Sequence, residues 1–430
     1  MISRPLKTKE NQMTLSQQII SIHSGKKSVT AGEFVESSVD LVLANDITAP
    51  LAIEEFLKSG SKKVFDPRRI VLVPDHFTPC KDIRSAEMVK VLRDFSARFG
   101  VRFYELGKVG IEHALLPEEG LTRPCDLIVG ADSHTCTYGA VGAFSTGMGS
   151  TDIASAMITG KVWMKVPSAI RFNYHGKRNR YVGGKDLILY TIGKTGVDGA
   201  SYMSMEFCGE VISNLPMDDR FTICNMAIEA GAKNGIIGAD DITENYMRTV
   251  APEAVSCNLE AAGDSDYWKV VDIDVSGIEP QVAAPHLPSN SGDARKYSGV
   301  RIDQAVIGSC TNGRISDLRR AASILNGQTV HPGVRCIVIP ATPRIYRQAV
   351  KEGLIEVFMS AGCIISPPTC GPCLGGHMGV LAKGETAIAT TNRNFIGRMG
   401  HVESYVYLSG PEVAAASAVR GRICHPEEIS

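Results

Sequence analysis

The sequence predicts an α/β fold in which largely parallel sheets are layered with helices. Three observations predict it. Short apolar, β-branched runs recur at 68–76, 125–135, 304–313, 335–343 and 385–394, and such runs suit strands buried on both faces. Amphipathic patterns of helical period lie between them, at 86–99, 151–162, 315–325 and 344–361, and strand–helix alternation argues for layered α/β units. The chain has 430 residues, 44% hydrophobic and 21% charged, enough to build several domains with sizeable cores.

The organisation follows from where the pattern changes. Residues 1–12 read as a loose extension, and Met13 begins a helix-like stretch. The polar stretch 170–185 reads as a hairpin that begins a new unit. Its Lys177, Arg178 and Arg180 read as a solvated face. Residues 276–299 carry Pro, Ser and Gly without periodicity and read as a linker. Three units are therefore expected, at 1–168, 169–296 and 297–430.

Composition excludes several classes. Forty-five basic and 46 acidic side chains give a net charge of −1, so no global field steers the chain to nucleic acid or to a membrane surface. An anionic ligand must be held by local positive charge. The N-terminus has no apolar core of signal-peptide length, and no membrane span is expected. Glycine numbers 42, above the usual ~7%, so tight turns and close backbone approaches are expected. The 12 cysteines show no short, even framework, which points to a reducing cytoplasm and mostly free thiols. Cys80, Cys125, Cys136, Cys208, Cys257, Cys336, Cys363 and Cys424 stand alone and read as small buried hydrophobes.

Chemistry collects where the apolar runs end. The first delivers Asp75 and His76; the second delivers Asp132, Ser133 and His134. The third delivers Cys310, Thr311 and Asn312; the last delivers Asn392, Arg393 and then Arg398. Ligands of open parallel sheets bind outside the carboxyl ends of the strands. A carboxylate beside an imidazole keeps a proton available near neutral pH, so Asp75–His76 and Asp132–His134 are two candidate acid–base pairs. The glycine-rich stretch 139–149 leads into a helix start at 150–152, where Ser or Thr would cap. Asn225 and Glu229 share a helix face at i, i+4, and Glu229 is either exposed or functional. His113 is either a core histidine or a site residue. Arg393 and Arg398 present forks matched to carboxylates. Cys370 and Cys373 form a CxxC in a Pro- and Gly-rich loop, and Cys310 sits in a loop of like character. With His377 they could hold zinc. Alone they could hold an iron–sulfur cluster with one iron left open.

The motifs GSCTNGR, CGPC, GADSHT, TICNMAIEAGA and TTNRNFIGR together resemble the aconitase superfamily, from about Met13 to Ile423 and in the same order. The resemblance implies three α/β/α domains of the aconitase domain 1–3 type. It implies one [4Fe-4S] cluster per subunit on Cys310, Cys370 and Cys373, with a fourth iron free of protein ligands. His76, paired with Asp75, takes the place of the acid that protonates the leaving hydroxyl. His113, Asp132, His134 and Glu229 match positions around the iron-bound hydroxyl. Asn45, Ser133, Asn225, Asn392, Arg393 and Arg398 match substrate contacts, Asn45 standing where aconitases have Gln. The swivelling domain that supplies the family's serine base has no counterpart before Ser430, so a small swivel-domain subunit is expected as partner, in a heterodimer or heterotetramer. The implied activity is a hydro-lyase acting on a hydroxy di- or tricarboxylate, with isopropylmalate of leucine biosynthesis first. Homoaconitate, 2,3-dimethylmalate and a citrate-like acid are the alternatives. A non-enzymatic metal- or RNA-binding protein and a structural zinc protein are the readings from other classes.

Overall fold

The computed structural model describes residues 12–253, 257, 259 and 262–429. The expected loose extension lies outside them save for Gln12. Three parallel layers carry the architecture. The first sheet runs Arg102–Phe103, Ile70–Val73, Leu41–Asn45, Leu127–Gly130, Phe144–Gly147, with every pair parallel. The second runs Asn234–Ile236, Ser204–Cys208, Ala169–His175, Lys269–Asp274, again all parallel. The third places Gln304–Ile307 between Thr386–Ala389 and Arg335–Val338, all parallel. Gln281–Ala283 and Ser291–Asp293 extend it antiparallel beyond Tyr405–Ser409.

Strands such as Ile70–Val73 and Leu127–Gly130 are apolar throughout because both faces are buried. The helix Ile83–Phe99 starts where Asp82 accepts the Ser85 N–H at 2.8 Å and stops at Gly100, φ 72°. Val89, Leu92 and Phe95 form its buried stripe. One continuous core runs from Val71 of the first sheet through Phe172 and Phe207 of the second to Val306 and Ile388 of the third. The layers are therefore packed into one body rather than strung on linkers. No helix among the described residues is long and apolar enough to cross a membrane.

Several expectations are corrected. The stretch 170–185 is no hairpin. Ala169–His175 is a strand parallel to both its neighbours, and the chain then turns into the helix Gly184–Thr195. Its alternating burial looks two-faced in sequence, but pairing direction is a long-range property. The stretch 276–299 is not a free linker, because Gln281–Ala283 and Ser291–Asp293 pair with the third sheet. The helix expected over 151–162 ends at Thr159, and Gly160 turns the chain into the strand Lys161–Lys165. Its cap is Gly149, not a hydroxyl. The helical pattern 344–361 is two helices, Pro343–Lys351 and Leu354–Ser360, broken at Gly353 with φ 75°. Cys125 and Cys257 do not stand alone. Their sulfurs are paired, because the segment near Glu253 folds back onto Arg123, whose guanidinium donates to Glu253 at 2.7 Å.

Candidate active site

The carboxyl ends of the first and third sheets face one cavity of about 150 Å³. Asn45, Asp75, His76, Glu112, His113, Asp132 and His134 line it from the first. Cys310, Cys370, Cys373, Asn392, Arg393 and Arg398 line it from the third. Asn225 and Glu229 belong to the wall behind it, contributed by the segment Met217–Ala230. Both are buried, at 0% and 3% exposure, so Glu229 is not the surface carboxylate of the sequence alternative. The helix ends at Asn225 and continues as a tighter 3-10 turn.

Each group is held by specific partners. His76 Nδ1 lies 2.7 Å from Asp75 Oδ1. Asp46 accepts the main-chain N–H groups of His76 and Phe77 at 3.0 Å each. Burial opposes charging His76, but Asp75 and Asp46 outweigh it and raise its pKa well above the ordinary value. Asp132 Oδ1 is shared by His113 Nε2 at 3.0 Å and the His134 main-chain N–H at 2.7 Å. Burial works against its charge, but hydrogen bonds to both histidines hold it ionised, well below the usual carboxylate range. His134 Nε2 meets Glu229 Oε1 at 2.9 Å. Arg393 Nε donates to the same oxygen at 2.8 Å, and its Nη2 donates to Ser133 Oγ at 3.0 Å. Arg398 Nε is buried without a partner among the described residues.

The cysteines are presented by strained or glycine-rich turns. Gly308 has φ 146° and Ser309 has φ 77°. A side chain at Gly308 would run into the carbonyl of Ile339, so only glycine lets the strand pass straight into the turn that carries Cys310. Cys310 Sγ accepts amide N–H groups from Asn225 and Asn392, each at 3.3 Å. The Cys370 and Cys373 sulfurs lie within bonding reach of one another, and with His76 they form a group able to hold a metal. The three thiols are buried, at 2%, 6% and 3% exposure. A soft, solvent-shielded sulfur triad with amide donors on one sulfur fits an iron–sulfur group. His377 is turned away from the zinc role considered in sequence: its Nε2 meets the His76 carbonyl at 3.1 Å.

Five further residues escaped sequence reasoning. Asp46 holds the His76 turn. Tyr138 sets His113, with its hydroxyl 3.0 Å from Nδ1. Glu112 lines the cavity beside His113. Arg314 ties the Cys310 carbonyl, at 2.9 Å, to the His113 carbonyl, at 3.0 Å. Lys185 is fully buried and donates to the carbonyls of Thr390 and Thr391 at 2.8 and 2.6 Å, anchoring the turn that carries Asn392 and Arg393. Burial depresses its pKa to about 7. Adjacency in GIEH and in GSCTNGR was the available signal for Glu112 and Arg314. Nothing local marks Lys185. Lys185→Met leaves two buried carbonyls without their donor and is expected to lower stability by about 2 kcal/mol, read from the urea unfolding midpoint.

Comparison with known proteins places these features in context. The family profile described as Aconitase family (aconitate hydratase) matches residues 17–295 and 289–421. The 3-isopropylmalate dehydratase large subunit of Thermodesulfovibrio yellowstonii is 63% identical over 418 residues, covering 97% of this chain and 99% of its own. The protein of the same name from Moorella thermoacetica is 62% identical over the same shares. The holo-form of Thermococcus kodakaraensis aconitase X aligns over 90% of this chain and 94% of its own, with TM-score 0.49 and 13% identity.

Proposed function

From the premise that the chain belongs to the aconitase family, we propose that it is the large subunit of a 3-isopropylmalate dehydratase. It interconverts 2- and 3-isopropylmalate by dehydration and rehydration. The observation that carries the reading is a single cavity that joins three thiols, two histidine–carboxylate pairs and two arginines. Relatives bearing that name match the chain along almost its whole length.

In this reading Cys310, Cys370 and Cys373 hold one [4Fe-4S] cluster. When bound, such a cluster supplies a Lewis-acidic iron that polarises a substrate hydroxyl. The chain's own residues do the rest. Arg393 and Arg398 fix substrate carboxylates. Protonated His76, kept charged by Asp75, gives its proton to the departing hydroxyl. Asp132, His113, His134 and Glu229 order the oxygen that leaves and returns. Asn225 and Asn392 hold the Cys310 sulfur and keep that side of the cavity polar. Removal of the carbon-bound proton falls to a base from a small swivel-domain subunit, in a heterodimer or heterotetramer. The work belongs to leucine biosynthesis in the cytoplasm. A division into three units is part of the same reading: the boundary near 168 falls between the first and second sheets, whereas Gln281–Ala283 and Ser291–Asp293 already belong to the third sheet ahead of 296.

The test is reconstitution. The chain alone, loaded with iron and sulfide, is expected to turn over none of the hydroxy acids. Adding the small subunit is expected to restore conversion of 2-isopropylmalate, followed by the absorbance of the unsaturated intermediate. Activity of the chain alone would refute the partner. Preference of the complex for homoaconitate, 2,3-dimethylmalate or a citrate-like acid would refute the substrate.

A further inference from the structure

Arg314 is a buried cation that the scheme above leaves unused. Buried charges are normally paired with an opposite charge, and nearby arginines follow that rule: Arg220 meets Asp240, and Arg320 meets Asp219, at 2.7 Å each. Arg314 does not, for its guanidinium makes no ion pair among the described residues. It is spent on main-chain carbonyls instead. Nη1 donates to the Cys310 carbonyl at 2.9 Å and the Thr311 carbonyl at 3.3 Å, and Nη2 donates to the His113 carbonyl at 3.0 Å. Its Cζ lies 4.5 Å from the centre of the Phe221 ring, a cation–π contact. Phe221 sits on the helix Met217–Asn225, whose last residue donates to Cys310 Sγ. One side chain therefore meets the cysteine elbow of the third sheet, the His113 turn and the wall behind the cavity.

The local sequence vacates the two carbonyls that it joins. In an α-helix a carbonyl accepts from the N–H four residues on. For His113, in the helix Glu112–Glu118, that residue is Pro117, which has no N–H to give. For Cys310, in the short helix Ser309–Asn312, it is Arg314 itself, whose own N–H is committed to Asp317 Oδ2 at 3.0 Å. Both residues are buried, where a carbonyl without a donor is unfavourable. The Arg314 fork supplies both donors, reaching His113 across 201 residues of chain. The elbow is held by other bonds as well. Gly308 N–H donates to Thr390 Oγ1 at 2.8 Å, Thr311 Oγ1 donates to the Thr390 carbonyl, and Thr222 Oγ1 donates to the Thr311 carbonyl at 2.7 Å. None of those reaches the helix that carries His113. Among the described residues, the hydrogen bonds that do so from the elbow are those of Arg314.

We propose that Arg314 is a positioning residue of this site: its guanidinium clamps the Cys310 elbow to the His113 turn and so fixes the spacing between the thiols and the acid–base wall. Pro117 is the other half of the device, because it leaves the His113 carbonyl open for a donor from the opposite wall. Arg314 is not among the residues that line the cavity, so it acts through the main chain and touches no ligand. A planar fork suits this task, since it spans two carbonyls at once where an ammonium offers a single donor centre. The proposal rests on the dehydratase reading for the reaction that reports on it, but not for the clamp itself.

The test uses the reconstituted two-subunit enzyme with 2-isopropylmalate and compares Arg314→Met, Pro117→Ala and the double variant. R314M is expected to lower kcat by about tenfold to hundredfold, the effect of a small misplacement of reacting groups, with KM within about threefold and iron per chain at the parental level. Its Tm should fall, because two buried carbonyls lose their donor. P117A returns a local N–H to the His113 carbonyl without joining the two walls. The double variant should therefore regain part of the lost Tm while kcat stays low. Hydrogen exchange followed by mass spectrometry should show segments 109–118 and 308–314 both exchanging faster in R314M. Four results overturn the proposal: parental kcat in R314M, recovery of kcat together with Tm in the double variant, faster exchange confined to 308–314, or loss of iron in step with activity. If R314M does not fold, Arg314→Lys carries the test; it keeps the charge without the fork, is expected to lower kcat at least about tenfold, and overturns the proposal if its kcat is parental. An inactive parental complex would instead refute the dehydratase reading, with hydrogen exchange still reporting on the clamp.

Discussion

Cys310→Ser is expected to abolish both the brown colour and the activity. Cys310 sits on the elbow of Gly308 and Ser309, with φ 146° and 77°, and two carboxamides donate to its sulfur. Among the described residues no other sulfur lines this side of the cavity, whose remaining cysteines belong to the Cys370–Cys373 turn. Serine keeps the shape of the elbow but replaces a soft thiolate by a poor iron ligand. Iron per chain after anaerobic reconstitution should fall to a small fraction of the parental value, and turnover of 2-isopropylmalate should fall to background. Cys208→Ser, on the second sheet, is the control and should keep its iron. A full iron complement in C310S would remove Cys310 from the ligand set.

The second large effect is expected at His76. His76→Ala should lower kcat by about 10²–10⁴, the usual contribution of a positioned general acid, while the iron content stays near the parental level. The reason to expect separation lies in the backbone. The cysteine loop is tied to this turn by the Cys370 N–H donating to the Asp75 carbonyl at 2.9 Å. Thr369 Oγ1 donates to the Asp75 and His76 carbonyls at 3.0 and 3.3 Å. None of these bonds uses the imidazole, so truncating the ring leaves the loop in place. Parental kcat in H76A would exclude the residue from proton transfer. Loss of iron together with activity would show instead that the ring supports the cysteine loop.

The strands that carry the site could be read directly. Runs such as 304–307 and 386–389 are apolar throughout, and that pattern survives any packing partner. Polar residues just past their ends therefore fell at the carboxyl edge of a sheet, and Asp75, His76, Asp132, His134, Cys310 and Arg393 could be gathered before any coordinates. What escaped was of two kinds. Pairing direction and long-range partners escaped at 169–175, at 281–293 and at Cys125–Cys257, because nothing within a short window encodes which distant segment lies alongside. Isolated buried polar groups escaped too. Lys185 has the local sequence of any helix start, and only its carbonyl partners 205 and 206 residues away reveal a buried anchor. Glu112 looks like an ordinary acidic first-turn residue until Asn45, Asp75 and Asp132 surround it.

The sequence by itself determined the layered α/β class, the strand ends where chemistry gathers, and the identity of the three thiols, because periodicity and residue chemistry are local. Only the tertiary structure decided which carboxylates surround His76 and Glu112, the turning of His377 toward a carbonyl, and the division of Asn45's hydrogen bonds. Those depend on burial and on charges brought together across tens to hundreds of residues, and both come into being only when the chain packs.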